Sequence, residues 1–381
     1  MNQTIRRARA SAPPPLRPHL KSLAPYLPGK PIEEVERELG LAGVIKLASN
    51  ENPLGPSPKA VRAMADVLSE MNLYPDGGGY NLKRELARRL NVRPEEIILG
   101  NGSDEVTLFL ALCYLGPGRS MVTSQYAFLR YEMAGRLAEA ETRLVPMKDL
   151  RHDTRALAAA VDASTTLLFI DNPCNPTGTI LRRSELARLA RDLPSSLLIV
   201  LDEAYHEFAA NDPDYPDGLA LRRRHPNLIV TRTFSKAYGL AGLRIGYGVA
   251  DPTVVADLER VRPPFNVNRM AQAATLAALG DRAHLRRSVL NNERGKRYLG
   301  VAFGRLGLAF TPTHANFFLV DFGSRGLSGA TVYERLLRRG VVVRPMGGYG
   351  LKSHVRVSIG APEENRRLVA ELKALLGSSS L

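Results

Sequence analysis

Two kinds of apolar pattern alternate along the chain. Leu167-Leu168-Phe169-Ile170, Leu197-Leu198-Ile199-Val200-Leu201 and Leu228-Ile229-Val230 are continuous apolar runs, as expected for strands covered on both faces. Between the first two lies Arg183–Arg191, with the spacing of a one-sided helix. Strands alternating with helices predict a parallel, doubly wound sheet. Further helices are expected over Ile32–Leu39, stopped by Gly40, over the stretch that puts Val61, Met64, Ala65 and Leu68 on one face, over Leu82–Leu90 and over Val106–Leu115. Ile97-Ile98-Leu99 reads as a strand entering Gly100-Asn101-Gly102-Ser103, and Met121-Val122-Thr123 as one entering Gln125-Tyr126-Ala127-Phe128.

After Arg262-Pro263-Pro264 the pattern changes. Helices are expected over Met270–Leu279, Asp281–Leu306 and Ala330–Arg339, the last stopped by Gly340, with strands over Asn316–Val320 and Val341–Arg344. In His354–Ile359 alternation puts Val355, Val357 and Ile359 on one face, and Arg356 and Ser358 on the other. Pro362 opens the last helix, where a missing N–H costs nothing. The expected organisation is a basic, Pro-rich arm over 1–31, a large domain over 32–262 whose N-terminal segment also serves the small domain, and a smaller α/β domain over 263–381. No internal repeat is visible.

The chain has 381 residues, 44% hydrophobic and 24% charged, enough to bury a large core. No apolar run is long enough to cross a membrane. Its two cysteines, Cys113 and Cys174, suggest no disulfide framework, and a cytoplasmic setting is expected. The formal charge is +14, and Arg6, Arg7, Arg9, Arg17, Lys21 and Lys30 all precede the first acid, Glu33. A basic balance favours anionic ligands. The arm has no apolar core of a secretory signal. The arginines of Arg182–Arg191 and Arg335–Arg339 read as solvated helix faces.

Candidate chemistry gathers just past strand ends. In an open α/β sheet ligands bind beyond the carboxyl ends of the strands. Asn175 follows the first apolar run in Asn175-Pro176-Thr177-Gly178, Asp202 ends the second, and Lys236 follows the third in Thr233-Phe234-Ser235-Lys236. A lysine among cations loses its proton more readily and can form an imine. Ser235 and Arg244 are suited to hold a phosphate beside it; the alternative is a surface lysine in a turn. Gly100-Asn101-Gly102-Ser103-Asp104 offers a helix N-terminus as an anion site, although Ser103 serves equally as a plain cap. Pyridoxal 5′-phosphate (PLP) requires a lysine for its aldehyde, a carboxylate for its ring nitrogen, donors to its phenolic oxygen, an aromatic face and a phosphate cup. Lys236, Asp202, Asn175 with Tyr205, Tyr126, and the set Ser103, Asp104, Ser235 and Arg244 match those needs. No metal site is expected.

Several stretches carry a resemblance: Ser49-Asn50-Glu51-Asn52-Pro53, Tyr74-Pro75-Asp76-Gly77-Gly78-Gly79, Gly102-Ser103-Asp104-Glu105, Asn175-Pro176-Thr177-Gly178, Asp202-Glu203-Ala204-Tyr205, Thr233-Phe234-Ser235-Lys236, Gly242-Leu243-Arg244-Ile245-Gly246 and Val355-Arg356-Val357-Ser358-Ile359-Gly360. From about Tyr26 to Leu376 the chain resembles the PLP-dependent aminotransferases of fold type I, and among them the histidinol-phosphate aminotransferase family. The resemblance implies α/β architecture of that fold type, a large domain with a mostly parallel doubly wound sheet plus a smaller α/β domain. It implies transamination of L-histidinol phosphate with 2-oxoglutarate, as part of histidine biosynthesis. By position, Lys236 would hold PLP and shuttle the proton, Asp202 would meet the pyridine nitrogen, and Asn175 and Tyr205 the phenolic oxygen. Tyr126 would stack on the ring, and Ser103, Asp104, Thr233, Ser235 and Arg244 would form the phosphate cup. Tyr74 would reach the site of the other subunit in a homodimer. Tyr26, Asn50, Arg344 and Arg356 would bind substrate. Arg269, the Tyr126–Tyr131 loop and the long arm depart from the family pattern. An aromatic amino-acid aminotransferase, a threonine-phosphate decarboxylase and a PLP-domain regulator are the competing readings; the arm is too short for the DNA-binding domain that the regulator needs.

Overall fold

The computed structural model describes residues 14–23 and 29–377. Half of the arm's six basic residues, Arg6, Arg7 and Arg9, lie outside the described residues, as does Tyr26. Part of the arm is not extended: Pro18–Ser22 forms a 3₁₀ turn, and His19 lies 3.4 Å from the Glu139 carboxylate.

The first elements are α1 (Ile32–Leu39), β1 (Ile45–Lys46), α2 (Pro58–Asp66), α3 (Tyr80–Leu90), β2 (Ile97–Gly100), α4 (Ser103–Tyr114), β3 (Ser120–Ser124), α5 (Leu129–Leu137) and β4 (Glu141–Val145). There follow α6 (Thr154–Ala159), β5 (Thr165–Asp171), α7 (Arg183–Asp192), β6 (Leu198–Asp202), α8 (His206–Ala209), α9 (Gly218–Arg222), β7 (Leu228–Thr233), β8 (Gly246–Val249) and α10 (Pro252–Val261). The chain ends with α11 (Arg269–Leu279), α12 (Arg282–Arg305), β9 (Ala309–Phe310), β10 (Phe317–Asp321), α13 (Gly329–Leu337), β11 (Val341–Val342), β12 (Arg344–Pro345), β13 (His354–Ser358) and α14 (Pro362–Gly377).

A seven-stranded sheet runs in the order β2-β8-β7-β6-β5-β3-β4. Its pairs are parallel except where β8 meets β2 and β7. The apolar runs sit at its centre because both faces are covered. Leu168, Ile170, Ile199 and Leu201 pack toward the side of α3, α7 and α11, while Leu167, Phe169 and Val200 pack toward α4 and α10. A four-stranded antiparallel sheet, β12-β13-β10-β9, has its own core with α12, α13 and α14. β1 pairs in parallel with β11, tying the N-terminal segment to that smaller unit. Among the described residues no helix is long and apolar enough to cross a membrane.

Three expectations need revision. On α2, Ala60 is buried and packs in the large core, while Val61 and Ala65 face outward, as does Leu68 in the 3₁₀ turn that follows. Ala271, Ala274 and Ala278 of α11 belong to the core of the large sheet, and small side chains allow that helix close approach to α2. We therefore propose that the division between units falls near Gly280 rather than at 263. Finally, Val341–Arg344 is not one strand: β11 joins β1, and β12 joins β13.

Candidate active site

The register places Asp171 of β5 opposite Asp202 of β6, and Asp202 opposite Thr231 of β7. Three strand ends thus meet at one edge, as the apolar runs imply. A cavity of about 140 Å³ opens there, and its lining includes Ser103, Asp104, Asn175, Asp202, Tyr205, Thr233, Ser235, Lys236 and Arg244.

Lys236 lies in the turn after β7, and its Nζ donates to the Ser49 carbonyl at 3.2 Å. Burial, and then the Arg356 and Arg244 guanidinium groups, push its pKa down to about 8. The Asp202 carboxylate accepts from the Tyr131 hydroxyl at 2.8 Å and from the Ala204 N–H at 3.0 Å. Burial nevertheless pushes Asp202 up to about 6, with Asp171 adding to the rise. An uncompensated buried carboxylate favours a cationic partner.

The anion end of the cavity is built from backbone. Gly102 caps α4 without a side-chain hydrogen bond, so N–H groups of the first turn stay open to an anion. At φ +82°, a Cβ on Gly102 would come within 2.7 Å of the Arg244 guanidinium, which explains the glycine. Thr233 Oγ1 donates to Ser235 Oγ at 3.0 Å, and Arg244 Nη1 approaches that same hydroxyl at 3.5 Å. Asp104 differs from its expected role in one respect: its carboxylate accepts from Arg130 Nε at 2.7 Å.

On the other side, Asn50 Nδ2 donates to the Tyr205 hydroxyl at 2.9 Å. Asn50 holds a left-handed backbone, φ 56°, which asparagine tolerates better than most residues. Burial pushes Tyr205 up to about 12. Arg356 Nη1 donates to Asn175 Oδ1 at 2.5 Å and Nη2 to the Ala48 carbonyl at 2.8 Å, while its buried Nε has no partner among the described residues. Arg344 is paired directly opposite Arg356, so both leave the same face of the small sheet; Arg344 is not part of the cavity lining.

Tyr126 is not brought into the cavity. It packs with Leu319, Met346 and Leu351, because the chain turns before α5 and presents Phe128 and Tyr131 instead. Those two, with Asp171, escaped sequence reading; the available signal was an aromatic three residues before a second one at a helix start. Tyr74 also stands outside the cavity lining: it is 78% exposed and stacks on Phe265, with ring centroids 4.6 Å apart. The departing Arg269 holds this loop, donating from Nη2 to the Tyr74 carbonyl at 2.9 Å. His152, Asp171 and Cys174 cluster behind the cavity, but the imidazole nitrogens are already engaged by Ser124 Oγ at 2.7 Å and the Asp171 carbonyl at 2.9 Å. Both cysteines are free.

Residues 42–372 match the family described as aminotransferase class I and II, so the fold is that of the PLP-dependent aminotransferases. The chain is 50% identical to histidinol-phosphate aminotransferase 1 of Nitrosococcus oceani over 357 residues, 94% of this chain and 95% of that one. It superposes on the histidinol-phosphate aminotransferase of Sinorhizobium meliloti, solved with pyridoxal-5′-phosphate, with a TM-score of 0.87 at 31% identity, covering 97% of this chain and 99% of that one. The L-threonine-O-3-phosphate decarboxylase of Porphyromonas gingivalis is more distant, at a TM-score of 0.77 and 25% identity, covering 88% of this chain and all 100% of that one. The chain is an aminotransferase of class I and II. Within that class it belongs to the histidinol-phosphate aminotransferase family.

Proposed function

We propose that the protein uses PLP to move an amino group from L-histidinol phosphate to 2-oxoglutarate, giving imidazole acetol phosphate and L-glutamate. The observation that carries this reading is Lys236, Asp202 and an open helix N-terminus around one cavity, with the spare Nε of Arg356 beside it. The donor set fits PLP: an amine of lowered pKa, a buried acid lacking a cation, and a phosphate cup of Ser103, Thr233, Ser235 and Arg244 with the N–H groups at Asp104. When bound, PLP supplies an aldehyde that captures primary amines and a ring that accepts electrons.

The chain's own groups divide the remaining work. Lys236 Nζ is the base that takes the proton from the substrate α-carbon and returns one later in the cycle. Asp202 holds its negative charge where the ring nitrogen would lie. Asn175 keeps its Nδ2 for donation, since Arg356 occupies its Oδ1, and Tyr205 adds a hydroxyl held by Asn50. Arg356, with Arg344 opposite, meets the phosphate of one substrate and the carboxylate of the other through charge-assisted bonds. Tyr26 is assigned to the same anion.

We propose a cytoplasmic homodimer with shared sites. Leu68, Met71, Leu73, Tyr74 and Phe265 are all exposed in the single chain, and clustered exposed apolar groups suit a protein interface. Mixed dimers of a Tyr74 variant with a Lys236 variant should regain activity at one site of the two; if heterodimers form and stay inactive, Tyr74 does not act across the interface.

The deciding experiment compares kcat/KM for histidinol phosphate, phenylalanine and tyrosine. Histidinol phosphate should win. A preference of about tenfold for an aromatic amino acid, about 1.4 kcal/mol in transition-state binding, would replace this reading with the aromatic one. Carbon dioxide release from threonine phosphate would favour the lyase. Borohydride reduction followed by peptide mapping should mark Lys236 and no other lysine.

A further inference from the structure

A second cavity, about 910 Å³, lies on the other side of β7, between α3, α8 and the first half of α12. Alternation along β7 separates the two: Thr233 lines the first cavity and Arg232 the second. None of the chemistry proposed above uses this second cavity.

Its outer wall begins with two cations. Arg282 and Arg286 of α12 stand at the i, i+4 spacing that aligns side chains on one helix face, and Glu293 further along is paired with Lys296 at 2.7 Å. Arg282 and Arg286 are exposed, and neither has a hydrogen-bond or ion-pair partner among the described residues. Arg282 is also the first residue of a 24-residue helix whose first turn holds no acid. A cation is disfavoured at that end of a helix dipole, so helix stability does not account for it. Opposite stands Arg89 of α3, which shares Glu85 with Arg88.

The inner wall is different. Glu207 lines it with Tyr238 and Tyr247. No other residue donates a hydrogen bond to the Glu207 carboxylate among the described residues, and burial pushes its pKa up to about 7. The nearby Arg232 is committed to Glu203, at 2.8 Å from Nε and 2.7 Å from Nη2. The cavity therefore runs from a half-buried acid beside two tyrosines, bonded only by its own backbone N–H among the described residues, to guanidinium groups at the mouth.

We infer that this cavity is a second binding site, for a small dipolar molecule whose cationic nitrogen meets Glu207 and whose phosphate or carboxylate meets Arg282 and Arg286. Guanidinium groups pair with such anions through charge-assisted, forked bonds, and tyrosine faces attract a desolvated cation. The first half of α12 lines the cavity while Leu299 and Phe303 of its second half pack in the small core. An occupant would thus touch both units of the fold.

Phosphocholine is a suitable probe: it carries both charges and has no primary amine to react in the first cavity. Calorimetric titration into the holoenzyme should show it binding about tenfold more tightly than inorganic phosphate, a difference of about 1.4 kcal/mol. R282Q/R286Q should weaken phosphocholine by at least about tenfold while turnover stays at the wild-type level. The milder E207Q should abolish the advantage over inorganic phosphate and leave phosphate affinity unchanged. No binding at millimolar probe would overturn the proposal. So would unchanged affinity in R282Q/R286Q, or loss of binding in R356Q instead, which would place the probe in the first cavity. The transamination reading survives any of these results.

Discussion

Asp202 and Glu203 are neighbours in sequence, yet the protein uses them in opposite ways. Asp202 faces the first cavity and accepts from neutral donors, a tyrosine hydroxyl and an amide. Glu203 points to the far side, where Arg232 closes an ion pair on it at 2.7 Å. Both are buried, and burial raises the pKa of each. The difference lies in compensation. On the far side the charge is matched, with both Arg232 contacts on Glu203 Oε2 and Oε1 left without a hydrogen bond among the described residues; the cavity side keeps an acid without a cation and a lysine near two other cations. Such incomplete electrostatics cost stability and are typical of sites awaiting a ligand.

The comparison is tested first at Lys236. Lys236→Ala should lower turnover of histidinol phosphate by about 10⁴-fold, the upper end of what one acid–base group supplies. The fold should not suffer. The lysine's pKa falls from its ordinary 10.5 to about 8, so above pH 8 the unfolded chain binds more protons than the folded one. Its contribution to stability therefore rises with pH between those values, and at lower pH the buried ammonium is a net cost. Melting curves of the cofactor-free variant at pH 7 should match or exceed wild type, and reaction of wild-type Lys236 with PLP should accelerate as pH rises through about 8. A lower melting temperature would show that Lys236 is a structural cation after all.

On the complete side the effect should invert. Arg232→Gln leaves Glu203 buried without its cation, at a cost of about 3–5 kcal/mol, readable as a lower denaturation midpoint. Folded Arg232→Gln protein should retain kcat within a few-fold. Asp202→Asn should show the opposite: kcat down by about 10²–10³-fold, stability at pH 7 equal or higher. Asp202 has a raised pKa, so its native carboxyl holds a proton that the unfolded chain has already released between the ordinary carboxylate range and about 6. Stability thus falls as pH rises through that window, and the asparagine should remove this slope. A slope unchanged in Asp202→Asn would mean that Asp202 does not carry it.

How much of this was legible follows the same division. Continuous apolar runs located β5, β6 and β7, and strand ends located Asn175, Asp202 and Lys236, because a sheet covered on both faces leaves a plain signature. Alternation correctly turned Arg356 and Ser358 away from the small core. The pairing of Glu203 with Arg232 was not legible, since the two lie 29 positions apart in sequence with no local pattern joining them. The outward face of α2 was misread because Val61 and Leu68 are apolar at helical spacing, a pattern that an interface imitates. That Ala271, Ala274 and Ala278 of α11 pack in the core of the large sheet was not legible, because periodicity states that a helix has an apolar face and not which core receives it.

The smallest effect concerns the aromatic wall, where the loop between β3 and α5 brings Phe128 rather than Tyr126 to the cavity lining. Tyr126 follows the strand most directly, but its ring sits with Leu319, Met346 and Leu351, while Phe128 lines the cavity. Phe128 is also held edge-on to Tyr131, with ring centroids 5.7 Å apart, and Tyr131 in turn stacks on Phe169 at 4.8 Å. A ring in that position is fixed on one side and free to face a flat ligand on the other. Aromatic contacts of this kind contribute about 0.5–1.5 kcal/mol beyond area burial, so Phe128→Leu should weaken PLP affinity by roughly three- to tenfold, read as release of cofactor on dilution. Tyr126→Leu should leave cofactor affinity unchanged and lower the melting temperature instead, since it loosens the contact with the small unit. If Tyr126→Leu releases cofactor and Phe128→Leu does not, the stacking wall is Tyr126, and the loop closes differently around a bound ring.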